Sequence, residues 1–98
     1  MRIELKKFGT ILISRQAGKE AFAALQSTLT ELKASEGLEV DFGGVITFSP
    51  SWGDEFLTPL LNQFGNRLIL LSNDNPSVRI TIEILERTQN KKFRYSGN

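Results

Sequence analysis

The apolar and polar positions of this chain alternate with two different periods. Alternation at every second position in residues 3–5 and 11–13, with Gly9 between them, predicts two short strands that form an opening hairpin. From Arg15 onward the apolar residues recur every three or four positions, which predicts a helix that reaches about Ser35. Ser14 is a candidate N-cap for this helix, and Gly37 is a candidate C-terminal stop.

A second strand and helix follow in the same order. Residues 38–42 alternate like a strand, Gly43 and Gly44 predict a bend, and the apolar run resumes in residues 45–48. The next apolar residues have helix spacing, and Gly65 is a stop for that helix. Pro59 lies inside it, so we expect a break there, with Thr58 capping a second helical piece that Pro59 begins.

The last third predicts one more strand, one more helix and an edge strand. The run "RLILLS" has the length and continuous apolarity of a central parallel strand buried on both faces. Asn75 followed by Pro76 predicts the start of a helix through residues 77–88, although Val78, Ile80, Ile82 and Ile84 also alternate like a strand. A short strand is expected at residues 93–95. Together these elements predict an α/β fold with a mixed, mostly parallel sheet of about four strands and three helices.

The length and composition place the chain in the class of ordinary globular proteins. Its 98 residues predict a single domain, 1–98, of which residues 90–98 form a polar, basic tail. There is no apolar run of about 18 residues and no apolar core of a signal peptide at the N-terminus, so we expect a cytoplasmic protein that does not enter a membrane.

The absence of cysteine and histidine excludes many kinds of chemistry. Thiol nucleophiles, the usual base of catalytic triads and the ligands of structural zinc sites are all missing. We therefore expect no enzymatic activity and no cofactor or metal. The net charge is +1, but residues 36–66 contain five acidic and no basic residues, whereas the flanking segments are basic. This acidic third favours a basic protein surface as partner and makes nucleic acid unlikely there.

The loop "FSPSWGDE" carries the candidate functional residues. Ser51 and Asp54 have the spacing of a capping box, and Glu55 adds a second charge that complements a helix N-terminus. This capping role leaves Trp52 without an explanation. Either Trp52 anchors a protein partner at the mouth of the loop, or its indole folds back as a lid on the core. The carboxyl ends of parallel strands meet at one edge of a sheet, so this loop should meet the loop of Asn73, Asp74 and Asn75.

The segments "VDFGGV", "SPSWGDEFLTPLL" and "NRLILLSND" resemble the STAS-like domains of unknown function, which are related to the bacterial anti-sigma factor antagonists. The resemblance spans about residues 11–86 and is strongest in residues 40–64. It implies helices packed on a sheet, no enzymatic activity, and a signalling role in which the domain docks on a histidine-kinase-like ATPase. It also implies that Ser51 or Ser49 is the phosphoacceptor of a partner switch, although Pro50 departs from the antagonists' pattern, in which the phosphoacceptor follows an aspartate.

Two functional hypotheses follow. The first is a regulatory protein-interaction module whose partner-binding residues are Pro50, Trp52, Asp54 and Glu55. The second is a small-molecule or nucleotide sensor that uses the loops after the parallel strands, without a glycine-rich phosphate loop. The basic residues of the tail are typical of a solvated chain end rather than of a nucleic-acid site. A homo-oligomer is compatible with either hypothesis.

Overall fold

Parallel strand pairs joined by helices build this domain, whose computed structural model describes residues 1–96. Residues 97–98 of the predicted tail lie outside the described part. In chain order the elements are β1 (Arg2–Glu4), β2 (Ile11–Leu12), α1 (Arg15–Leu29), β3 (Leu38–Asp41), β4 (Thr47–Phe48), α2 (Pro50–Phe64), β5 (Leu68–Leu70), α3 (Pro76–Gln89) and β6 (Arg94–Tyr95).

The main sheet has the strand order β1-β3-β5-β6, and β2 and β4 form a separate pair. Every strand pair in residues 1–96 is parallel. The predicted α/β class, with three helices and a mostly parallel sheet of about four strands, is therefore confirmed. Over the same residues, no helix has the length and apolarity needed to cross a membrane.

The predicted opening hairpin is wrong. β1 pairs with β3, with Ile3 opposite Val40, while β2 pairs with β4, with Leu12 opposite Phe48. A 3₁₀ turn that buries Leu5 separates β1 from β2. Leu12 faces the core, and the isoleucines on either side of it face outward. In residues 3–5 the alternating apolar residues are buried, whereas in residues 11–13 the residue between them is buried instead.

Helix α1 begins where the sequence predicts and ends earlier. The Ser14 hydroxyl accepts a hydrogen bond from the backbone of the first turn, so the predicted N-cap is confirmed. The helix ends at Leu29 rather than near Ser35. The Thr30 hydroxyl donates to the carbonyl of Ser27 at 2.7 Å, and such side-chain bonds compete with the helical backbone pattern. A turn of irregular chain then leads to β3.

Two glycines serve positions where the backbone is crowded or turned. Gly37 does not cap α1. A Cβ at Gly37 would lie 3.2 Å from the carbonyl oxygen of Arg67, so its role is close approach between segments. Gly44 has a φ of 86°, and Asp41 Oδ1 accepts from the Gly43 N–H at 2.9 Å just before it. These contacts make the predicted bend between β3 and β4.

Helix α2 is continuous through Pro59, so the predicted break is wrong. A proline in a helix interior costs about 3 kcal/mol through the lost hydrogen bond and the clash with the preceding turn. Seven residues of α2 are buried, and their packing holds the helix together across that position. The helix ends at Gly65, as predicted, with a φ of 57°.

One face of the main sheet is less covered than the sequence suggests. In β5, Leu68 and Leu70 are fully buried, but Ile69 between them is only half-buried. On the same outer face, Arg2 and Glu39 of neighbouring strands form an exposed ion pair at 3.4 Å. β5 is therefore not buried on both faces, because all three helices contribute to the core on the other side.

The ambiguous segment before the tail is a helix. Asn75 Oδ1 accepts from the N–H groups of Ser77 and Val78, and Pro76 occupies the first helical position. The predicted cap and the predicted helix are both confirmed. The short edge strand is also present as β6, with Arg94 opposite Ile69 of β5.

The tightest contact of the core is the crossing of α1 and α2. A Cβ at Gly18 of α1 would lie 2.6 Å from the carbonyl oxygen of Trp52 in α2, so the two backbones touch. The indole of Trp52 then packs against the rings of Phe8, Phe48 and Phe56, with centroid distances of 6.3, 5.7 and 4.8 Å. Only a residue without a side chain fits position 18 at this distance.

Replacing Gly18 by alanine should therefore destabilise the domain. Helix propensity alone predicts a gain of about 1 kcal/mol, whereas the clash with a backbone atom predicts a loss of about 1–3 kcal/mol. Urea unfolding followed by the fluorescence of Trp52 measures the difference. Ala23→Gly, at an exposed position of α1, is the matched control. Its free energy of unfolding should fall only by the difference in helix propensity, about 1 kcal/mol. A Gly18→Ala domain more stable than the wild type would contradict the crossing.

Candidate functional site

The first turn of α2 is capped by Ser49 and not by Ser51. The Ser49 hydroxyl accepts from the Trp52 N–H at 3.2 Å and donates to the carbonyl of Ile13 at 2.8 Å. Pro50 fills the first helical position and is exposed. The predicted capping box of Ser51 and Asp54 is therefore wrong. A proline at the first helical position shifts the cap to the residue before it.

Trp52 does not lie at the mouth of the loop. Its side chain is 1% exposed and belongs to the aromatic cluster described above. The prediction that it presents its indole to a partner is wrong, and the alternative of a side chain folded onto the core is correct. The helix start at Pro50 places position 52 on the inward side of the first turn.

The acidic pair of the loop is engaged within the chain. Arg15 Nη1 from α1 donates to Glu55 at 2.6 Å and to Asp54 at 3.0 Å, and we call these three residues the ion triad. The hydrogen bonds to Glu55 and then to Asp54 raise the pKa of Arg15. Asp54 also accepts from the Thr58 hydroxyl at 3.0 Å. The loop thus offers a partner much less free negative charge than its sequence suggests.

The loop of Asn73, Asp74 and Asn75 meets the segment before β4, whereas the prediction paired it with the loop "FSPSWGDE" that begins at the end of that strand. Asn75 Nδ2 donates to the carbonyls of Val45 and Ile46 at 2.8 and 3.1 Å, and Asn73 Oδ1 accepts from the Asn75 N–H at 3.0 Å. Asp74 is exposed between them. The asparagines of this loop therefore hold the start of α3 against the segment before β4.

Hydroxyl groups of α3 bind the edge of β4. Ser77 Oγ accepts from the Phe48 N–H at 2.9 Å, and Thr81 Oγ1 donates to the Phe48 carbonyl at 2.6 Å. Thr81 is buried, and its hydroxyl takes the place of the backbone donor that a neighbouring strand would supply. Helix α3 thus lies edge-on to β4.

Five isoleucines of the described residues have exposed side chains, and sequence reasoning did not select them. We call them the isoleucine face: Ile11 (59% exposed), Ile13 (52%), Ile46 (64%), Ile80 (58%) and Ile84 (36%).

Three of these side chains come from β2, β4 and their flanks. Ile11 pairs with Thr47 and points away from the core, because the next residue pair, Leu12 and Phe48, points into it. Ile13 follows β2 on the same outward alternation. Ile46 precedes Thr47, and its carbonyl is bound by the cap of α3.

The other two come from the flank of α3 beside β4. Ile80 and Ile84 follow Ser77 by three and seven positions, so they lie along the same side of the helix as that residue. The core-facing residues of α3, Val78, Ile82 and Leu85, lie on its opposite flank. Both side chains are exposed, and Ile80 also lines a groove with Asp74, Arg79 and Glu83.

A signal for this face was present in the sequence. Ile80 and Ile84 are four positions apart on a helix whose apolar stripe is already complete without them. If the apolar stripe of a helix is wider than the core requires, the extra width indicates a second contact surface. The same alternation that suggested a strand in this segment came from these extra isoleucines.

The structure also has a polar groove beside α3. It has a volume of about 610 Å³ and is lined by Ser72, Asn73, Arg79, Glu83, Glu86 and Tyr95. Burial, and then the nearby charge of Glu86, raise the pKa of Tyr95. Within residues 1–96 no three acidic side chains converge as metal ligands would.

The basic residues of the tail bind neighbouring elements. Lys91 Nζ donates to Asn62 Oδ1 at 2.8 Å, and Arg94 Nη1 donates to the carbonyl of Asn66 at 3.2 Å. These contacts tie the tail to the end of α2.

Comparisons of this chain with protein-family models, with curated proteins and with solved structures find no match. The resemblance to the STAS-like domains therefore stays a prediction from the sequence.

The ion triad should contribute little to stability despite its short distances, because its members are partly exposed and are screened by salt. Arg15→Met, which keeps the apolar stem, should lower the melting temperature slightly at low salt. The difference from the wild type should disappear at about 1 M salt, where the screening length is about 3 Å. Lys19→Met, one turn further along the exposed side of α1, is the control. A large loss that persists at high salt would mean that the triad is structural.

Proposed function

We propose that this domain is a non-enzymatic, regulatory protein-interaction module that docks through the isoleucine face. The single observation that carries the proposal is the exposure of five isoleucine side chains, by 36% to 64% of their surface. Large contiguous apolar patches on soluble domains mark interaction sites, because burying them in a complex is favourable. The acidic loop was our first candidate for docking, and its carboxylates are instead held by Arg15.

The resemblance described above suggests a histidine-kinase-like ATPase as the partner. The start of α2 borders the isoleucine face, because the Ser49 hydroxyl binds the carbonyl of Ile13. Pro50 is exposed there and Ser51 is half-buried. A partner that covers the face would therefore also contact the first turn of α2, which is the position of the phosphoacceptor in the anti-sigma factor antagonists.

Of the two candidate phosphoacceptors we favour Ser51. Phosphorylation of Ser49 would break both its bond to Ile13 and its cap of α2. Ser51 has no side-chain hydrogen bond among the described residues of the chain, so its hydroxyl is free to react. A phosphate there would add about −1.5 to −2 charges beside an apolar docking surface and would oppose the burial of that surface.

Substitutions in the isoleucine face should abolish docking on the ATPase. We expect Ile46→Lys and Ile80→Lys to weaken binding at least tenfold, since each places a charge in the buried interface. The measurement is isothermal titration with a purified histidine-kinase-like ATPase.

The matched control is Tyr95→Lys. Tyr95 is 45% exposed and belongs to β6, where it lines the polar groove with Glu86. It should bind like the wild type. Binding that survives both isoleucine substitutions, in variants whose Trp52 fluorescence shows an intact core, would rule out this face as the docking surface.

The groove between α3 and β6 supports the second candidate function, a small-molecule or nucleotide sensor. Its volume is in the range of ligand sites, and Ser72 and Asn73 come from a loop after a parallel strand. Arg79 and Tyr95 are hydrogen-bond donors, while Glu83 and Glu86 disfavour anions.

A sensor should be stabilised by its ligand. Screening nucleotides and neutral nucleosides by thermal shift should then give an increase that disappears in Arg79→Ala and remains in Ile80→Lys. The absence of any increase, or an increase that Arg79→Ala retains, would exclude the groove as the site.

A further inference from the structure

Strand β1 ends the main sheet and has a neighbouring strand on one side only. The strand order is β1-β3-β5-β6, so within residues 1–96 the other edge of β1 pairs with no strand. The Met1 carbonyl accepts from the Glu39 N–H at 2.8 Å, and Ile3 lies opposite Val40. In such a parallel ladder the backbone groups of every second residue face the neighbour. Those of Met1 and Ile3 face β3, and those of Arg2 and Glu4 therefore face the free edge.

This free edge offers hydrogen-bonding groups to another strand. Within residues 1–96, no backbone bond between different segments uses Arg2 or Glu4. The Glu4 carbonyl begins the 3₁₀ turn, whereas the Glu4 N–H and both backbone groups of Arg2 stay open. Both side chains are more than half exposed, at 56% for Arg2 and 53% for Glu4. An exposed strand edge with open backbone groups is a template for strand pairing.

We infer that β1 pairs with β1 of a second copy of this chain, in a two-fold symmetric dimer whose two β1 strands run antiparallel and are centred on Ile3. In this register Arg2 of each copy lies opposite Glu4 of the other. The two four-stranded sheets then join edge to edge, and both helix layers lie on the same side. The inference goes beyond the proposed function and uses no residue of the isoleucine face.

The backbone groups fit this register. Directly opposite residues of an antiparallel pair exchange hydrogen bonds when their backbone groups face each other. Arg2 and Glu4 are such residues, so the Arg2 carbonyl accepts from the Glu4 N–H of the other copy, and the two-fold axis repeats the bond. Ile3 lies between them as the pair without hydrogen bonds, and its side chain stays in the core.

Charge complementarity selects a second copy and this register. Arg2 and Glu4 are two positions apart, so their side chains point to the same outer face of the sheet. A register centred on Arg2 or on Glu4 sets two like charges directly opposite each other, which is unfavourable. A slip of one position sets an exposed charge opposite the buried Ile3. Centred on Ile3, both cross-strand pairs join opposite charges.

The second copy also relieves a repulsion within the single chain. The direct neighbour of Glu4 in β3 is Asp41, which has the same charge. The cation nearest to Glu4 in the chain is Lys6, whose Nζ is 3.9 Å away. In the dimer, Arg2 of the other copy lies on the free side of Glu4. Since Arg2 already binds Glu39 of its own chain at 3.4 Å, it then lies between two carboxylates.

The contact is small and polar, which determines how the dimer should behave. Three residues of each copy pair, whereas a standard interface uses roughly 20–30 residues a side. Ile3 is already buried in the single chain, so its pairing removes little apolar surface from water. The dimer should therefore form at high protein concentration and weaken with salt, because its charges are exposed.

Sedimentation velocity of the full chain over a wide range of concentration tests the dimer. At low salt the mass of the wild type should rise from 11.0 kDa toward twice that value, and about 1 M salt should reverse the rise. Amide hydrogen exchange on the same samples tests the edge. The Glu4 N–H should exchange more slowly as the dimer forms, because it gains an acceptor.

A mixture of two charge variants tests the register. Arg2→Glu and Glu4→Arg should each weaken the dimer at least tenfold, because each makes both cross-strand pairs repulsive. When the two variants are mixed in equal amounts, a heterodimer should form, since every pair again joins opposite charges. Lys19→Glu and Glu31→Arg make the same charge changes at exposed positions elsewhere, and they should dimerise like the wild type.

Several results would overturn the inference. A wild type that stays monomeric at every concentration would do so, as would a Glu4 amide that only another protein protects. A dimer that both charge variants retain, or a mixture of them that stays monomeric with the wild-type Trp52 fluorescence, would exclude pairing through β1. A dimer lost in Ile80→Lys and kept in Arg2→Glu would move the contact to the isoleucine face.

Discussion

The crossing of α1 and α2 at Gly18 and Trp52 is the contact on which the rest of the structure depends. Because backbone touches backbone there, the first turns of the two helices lie closer than side chains would allow. That closeness brings Arg15 within hydrogen-bond distance of the acidic pair of α2. It also directs the indole of Trp52 inward, where it packs in the aromatic cluster. The glycine in α1 thus determines which groups the tryptophan and the two carboxylates of α2 contact.

The polar loops are poor candidates for chemistry because their side chains already bind backbone atoms of the same chain. Ser49 binds Ile13, Asn75 binds the segment before β4, and Thr81 binds the edge of β4. Each of these polar groups satisfies backbone atoms that a larger sheet would have paired. We therefore propose the exposed isoleucines, rather than the acidic loop, as the docking surface.

Local signals in the sequence were sufficient to predict the helices and strands, but not to predict which of these elements pack against one another. Asn75 followed by Pro76 predicted the start of α3, and Gly65 predicted the end of α2, because caps and stops act within one turn. The hairpin failed because strand alternation does not say which neighbour a strand pairs with, nor which face is buried. The position of Trp52 was predicted wrongly because the direction of its side chain depends on which serine caps α2. That cap is Ser49, the residue before Pro50. The isoleucine face was missed because exposure is a property of the packed molecule.

The parallel pairing of the N-terminal segment has a consequence for how the chain acquires its structure. Arg2 meets Glu39 and Ile11 meets Thr47, so the paired positions are separated by 37 and 36 residues. Contacts between such distant positions form late, because closing the intervening loop costs entropy before any contact repays it. While the polypeptide is being synthesised, β1 and β2 emerge well before their neighbours exist, and the side chains of Ile3 and Leu12 stay uncovered. Apolar side chains that wait uncovered for their partners can associate with other chains, so the parallel pairing of β1 and β2 favours aggregation over folding in that interval.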